Sequence, residues 1–145
     1  MNRSLSAIVC LVLLIILSAG TEAGEKQKGK SGEIFLTPDN LKWNDGLVVL
    51  EGDPKKSGFF VMRLKLPAGS KIAPHMHNIV ERVTVISGKL NLAKGEKAEN
   101  PKVLPAGSYF SFPPGTLHNA WVEEETVVQI STEGTWTFDP AKKAK

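Results

Sequence analysis

The chain has 145 residues, 18 basic and 15 acidic side chains, and a formal net charge of +3. That length fits one domain with a single modest core, not two. The positive surplus lies in the ends: between Ile34 and Phe138, 11 Lys and Arg are balanced by 11 Asp and Glu. The body carries no basic stripe with aromatics among it, so nucleic acid is excluded as an expected partner.

Arg3, an almost unbroken apolar run Ala7–Ala19, and the small residues Ser18, Ala19, Gly20, Thr21 and Ala23 predict a secretory signal peptide over residues 1–23. Cleavage falls after Ala23 or after Gly20. The run is shorter than the about 20 apolar residues of a membrane span. The expectation is therefore a secreted or periplasmic protein with no stable membrane insertion after cleavage, and a retained N-terminal anchor is the alternative. Cys10, the single cysteine, leaves with the signal. The mature chain then has no disulfide, no thiolate ligand and no cysteine nucleophile, and any metal must be held by nitrogen and oxygen. Residues 24–32 contain no apolar side chain and read as a flexible linker. Residues 33–139 read as the folded domain and 140–145 as a basic tail.

Within the domain no long segment has helical periodicity. Short runs rich in β-branched and aromatic residues alternate with Gly, Pro, Asn and Asp. They predict strands over Glu33–Thr37, Leu47–Leu50, Phe59–Leu66, Arg82–Ser87, Lys89–Ala93, Ser108–Phe112, His118–Val122, Thr126–Thr132 and Thr135–Phe138. Ser87-Gly88-Lys89 reads as a tight hairpin turn and Glu123–Glu125 as a charged, solvated one. The fold class is all-β, a sandwich or barrel. In Phe59–Leu66 the charged Arg63 and Lys65 face water, which turns Phe60, Met62, Leu64 and Leu66 inward.

The mature chain has three histidines. His75 and His77 are two apart, so in extended backbone both project from one face with Cα atoms about 7 Å apart. Glu81 has the same parity and reaches the same point if the strand curves. His118 comes from a distant strand, after the turn Pro113-Pro114-Gly115, which can aim it. Three imidazoles and a carboxylate suit one divalent Mn, Fe, Co, Ni, Cu or Zn ion, and four ligands leave an octahedral ion open at two positions.

These residues stand in two spaced motifs that resemble those of the cupin superfamily. The first, G-x5-H-x-H-x3,4-E-x6-G, reads Gly69, His75, His77, Glu81, Gly88. The second, G-x5-P-x-G-x2-H-x3-N, reads Gly107, Pro113, Gly115, His118, with Val122 in place of the Asn. The resemblance implies a double-stranded β-helix, a jelly-roll barrel, with metal held by His75, His77, Glu81 and His118, and often a homodimer. It implies no particular reaction, because cupins include dioxygenases, decarboxylases, isomerases, binding proteins and sensors.

Parity places Ile79, Val83, Val85, Ala120 and Val122 beside the four ligands, which predicts a mostly apolar cavity with no inward Arg, Lys or second carboxylate. Tyr109 and Ser111 read first as ordinary strand residues, with a polar contribution to the cavity as the alternative. Trp43, Trp121 and Trp136 read as core or interface anchors, with Trp121 facing out of the barrel. Two functions fit. One is a metal-dependent enzyme, an oxidoreductase of dioxygenase type or a lyase, acting on a small organic molecule with Glu81 as catalytic proton acceptor. The other is a non-catalytic small-ligand-binding or sensing module on the same metal.

Overall fold

The computed structural model describes residues 32–141, so the expected signal peptide, all but the last residue of the expected linker, and residues 142–145 lie outside the described residues. Ten strands follow one short 3-10 turn at Pro38–Asn40. They are β1 Leu47–Glu51, β2 Phe59–Leu66, β3 Lys71–Met76, β4 Glu81–Ser87, β5 Lys89–Lys94, β6 Lys102–Pro105, β7 Tyr109–Phe112, β8 His118–Trp121, β9 Thr126–Glu133 and β10 Asp139–Pro140. They form two five-stranded sheets, in the orders β1-β2-β9-β4-β7 and β10-β3-β8-β5-β6. All neighbouring strands are antiparallel. The fold is the all-β jelly roll that the motifs imply.

The alternation in β2 has the expected sense. Phe60 and Met62 are buried, and they pair with Thr132 and Ile130 of β9. Val83 and Val85 of β4 extend the same inner face, opposite Ile130 and Val128. Leu90, Leu92 and Ala120 supply the facing layer from the second sheet, so the core lies between the sheets. Tyr109 and Ser111 are exposed, and Phe110 and Phe112 alternate with them toward the interior.

Four local expectations change. Glu33–Thr37 is not a strand: Ile34, Phe35 and Leu36 are exposed and unladdered, apart from a bridge at Ile34. Thr135–Phe138 is irregular, and pairing resumes only at β10. β3 and β6 are strands that prolines disguise. Pro74 sits where the β3–β8 register shifts between Ile72 and His75, and Pro105 ends β6. Gly88 makes no hairpin, because β4 and β5 belong to different sheets and the chain crosses between them there. Its φ is +73°, and a Cβ would meet the Glu125 carbonyl oxygen and the Thr126 hydroxyl, each at 2.5 Å. Only glycine fits that corner.

Candidate metal centre

β3 and β8 are neighbours, and their register sets His75 directly opposite His118. His77 follows the last residue of β3 on the same face. Glu81 does not lie on a curved continuation of that strand. The chain turns through Asn78–Val80, and Glu81 opens β4 in the opposing sheet. The four side chains therefore meet across the barrel interior, and all four are buried. The second motif's turn is tied to the first motif by the Gly115 N–H, which donates to the His77 carbonyl at 2.8 Å with Gly115 at φ +77°. That bond holds the Pro-Gly turn against the HxH segment one turn before His118 enters β8.

Each imidazole is oriented by a backbone carbonyl. Nδ1 of His75 donates to Ala73, that of His77 to Thr137, and that of His118 to Thr116, at 2.8, 2.7 and 2.9 Å. A carbonyl can only accept, so in each neutral imidazole the proton sits on Nδ1 and the Nε2 left bare points inward. Burial is the main reason the His75 imidazolium is disfavoured. The neighbouring His118 and His77 rings add to this, against the Ala73 carbonyl and Glu81, and the pKa falls to about 4. His75 is thus a neutral imidazole at physiological pH.

The three histidines offer one nitrogen each within 4.8 Å of one another. Glu81 stands against them, with Oε2 3.2 Å from His118 Nε2 and Oε1 3.6 Å from His77 Nε2. His77 Nε2 and Glu81 Oε2 are buried without a hydrogen-bond partner. Acceptors converging in a buried site with no donor among them repel one another unless a cation lies between them. The residues present therefore fit a metal ion, and a nitrogen-and-oxygen donor set suits a first-row divalent one.

Glu81 is held from both sides. The Thr132 hydroxyl donates to the Val80 carbonyl at 2.6 Å and accepts from Arg82 at 3.1 Å. The irregular segment after β9 closes the other flank. Trp136 stacks on His77, with ring centroids 3.9 Å apart, and Phe138 on His75 at 4.2 Å. Asn78 fastens this segment: its Oδ1 accepts from the Thr137 N–H and hydroxyl, both at 3.0 Å, and its Nδ2 donates to the Thr135 carbonyl at 2.9 Å. Trp136 is thus part of the site and not only a core anchor. Trp121 is half-buried and lies beyond the cavity wall. None of these supports has a motif in the sequence. Asn78 and Thr132 read as a turn residue and a strand residue, and the carbonyls have no side-chain signature.

His75, His77, His118 and Glu81 sit in the wall of a cavity of about 370 Å³. Its interior is mostly aliphatic, with Met62, Leu64, Ile72, Val83, Leu92 and Val128; of the residues that parity places beside the ligands, Val83 and Ala120 line it and Ile79, Val85 and Val122 do not. One expectation is corrected: a lysine does border it. Lys55, in the β1–β2 loop, lines the exposed side together with Leu47 and Phe138. The parity argument covered strands and could not reach a loop.

Residues 27–144 match the model of a domain family of unknown function, DUF4437. No curated protein matches the chain. Solved structures with the same fold include a conserved double-stranded β-helix protein from Klebsiella pneumoniae. It is 22% identical, with 74% of this chain and 97% of that one covered and a TM-score of 0.56. An acetylacetone dioxygenase from Acinetobacter johnsonii is 21% identical over 81% and 84% of the two chains, with a TM-score of 0.57. The polyketide cyclase RemF from Streptomyces resistomycificus is 12% identical over 78% and 88%, with a TM-score of 0.63. The family model spans most of the chain, so the chain is a member of the DUF4437 family, and its fold is the double-stranded β-helix of these solved structures.

Proposed function

We propose that the protein holds one divalent transition-metal ion on His75, His77 and His118, with the Glu81 carboxylate as fourth ligand, and binds a small organic molecule in the adjoining apolar cavity. The observation that carries this reading is the buried convergence of acceptors with no donor among them. A bound ion would supply Lewis acidity or redox chemistry at the cavity wall. The chain's own contributions are distinct. The aliphatic walls exclude water and hold an apolar body, and the Nδ1–carbonyl bonds fix the ring planes. Glu81, the one carboxylate in the wall, is the residue placed to take a proton from the bound molecule. An acetylacetone dioxygenase and a polyketide cyclase among the structural neighbours support an oxygenated, largely apolar carbon skeleton as substrate, with an oxidoreductase of dioxygenase type or a lyase as the enzyme class.

A second reading, a non-catalytic binding or sensing module on the same metal, is favoured by the cavity's ionisable groups. Among the described residues the only further ionisable group in its wall is Lys55 at the exposed side, so no second acid or base lines the interior beside the histidines and Glu81. The Ala7–Ala19 run supports export in either case. Elemental analysis of untagged protein, followed by O₂ uptake with acetylacetone and a panel of phenols, tests these readings. Stoichiometric Mn, Fe, Ni or Cu with substrate-dependent O₂ loss is expected for the enzyme. Metal without turnover supports the binding module, and protein that takes up no divalent metal overturns both.

A further inference from the structure

Lys55 is the one cationic side chain in the cavity wall. Its loop is held at two points. The Lys55 N–H donates to Asp53 Oδ1 at 2.9 Å, and the Pro54 carbonyl accepts from the Trp136 N–H at 2.8 Å. The Asp53 carboxylate is engaged by the neighbouring Lys56, 3.5 Å away. Among the described residues no carboxylate lies within ion-pair distance of the Lys55 ammonium. Lys55 therefore brings a positive charge without an ion-pair partner to the exposed side of the cavity, beside Phe138 and Leu47, which are also exposed. Deeper in, apart from the three histidines and Glu81, the wall is aliphatic.

We propose that Lys55 is a specificity-determining residue that selects small amphipathic acids, pairing with the carboxylate at the mouth while the apolar body fills the barrel interior. This rests on the reading of the cavity as a ligand site. The volume admits about a dozen non-hydrogen atoms, at the roughly 30 Å³ that a water molecule takes in the liquid. An unbranched acid of medium length matches both the size and the one-ended polarity. An ion pair at an exposed mouth gains modestly, so the selection for charge is severalfold and the apolar body supplies most of the affinity.

The test is calorimetric titration of the metal-loaded protein with octanoate and with octanamide, which match in shape and differ in charge. Wild type should bind octanoate about three- to fivefold more tightly. K55M, which keeps the aliphatic stem, should bring the ratio to about one, and K55E should favour the amide. Metal content, measured on the same samples, should not change, because Lys55 touches none of the ligands. Equal binding of the two probes by wild type would overturn the proposal. So would an acid preference that survives K55M and disappears on metal removal, since the anion would then sit at the histidines. If neither probe binds while metal is retained, the cavity reading fails with it and the metal reading stands.

Discussion

The indole of Trp136 lies nearly parallel to the imidazole of His77, at 29° and 3.9 Å between centroids, so a tryptophan stands one ring away from the convergence point. Titrating metal-free protein with Cu(II) or Co(II) should therefore quench tryptophan emission to an end point of one ion per chain. In W136F that response should be largely lost, because Trp43 lies beside Lys65 and Trp121 beyond the cavity wall. Quenching that is unchanged in W136F would place the ion elsewhere.

The ligand set itself is tested by H77A, H118A and E81Q. Removing either imidazole should lower metal occupancy at least tenfold, read by elemental analysis after dialysis. E81Q keeps the shape but removes the charge that offsets a dication, and should weaken binding less. Full occupancy in H77A would refute the site.

Thr132 spans Glu81 by bonding to residues on both sides of it. T132V keeps the volume but leaves the Val80 carbonyl without its donor, at a cost of about 1–3 kcal/mol in chemical denaturation. Metal affinity should fall about tenfold, the lower end for a residue that orients a ligand. T132S should restore the affinity. An equal loss in T132S and T132V would mean that packing, not the hydroxyl, matters.

The metal-free protein should lose stability in acid. The unfolded chain protonates His75 near its ordinary value of 6.5, whereas the folded chain resists until about 4. Between those values the unfolded state binds more protons, so stability is complete above about 6.5 and falls as pH drops toward 4. Urea midpoints measured across that window should decline with pH in wild type and decline less in H75Q. Parallel profiles in the two proteins would refute the assignment.

The sequence carried much of this site because its ligands obey spacing. Parity put His75 and His77 on one face, and Gly69, Gly88, Gly107 and Gly115 marked the frame around them. It misjudged the path to Glu81, since i+4 parity is the same whether a strand curves or the chain turns into another sheet. The strands carrying Pro74 and Pro105 escape a sequence reading because proline signals punctuation, yet at a register shift or a strand's last residue its missing N–H removes little from the ladder. Trp136, Phe138 and Asn78 lie in segments without periodicity, where only tertiary packing decides position. Thr135–Phe138 has the composition of a strand but is engaged instead by Asn78 and the imidazoles.

Glu81 and the histidines belong to opposite sheets. An ion held by all four would act as a rivet through the barrel wall, and its occupancy would be written into the melting temperature. A dication present at a hundredfold excess over its Kd would add about 2.7 kcal/mol to unfolding. Melting curves against a set of divalent salts would then rank the metals by preference before any substrate is known.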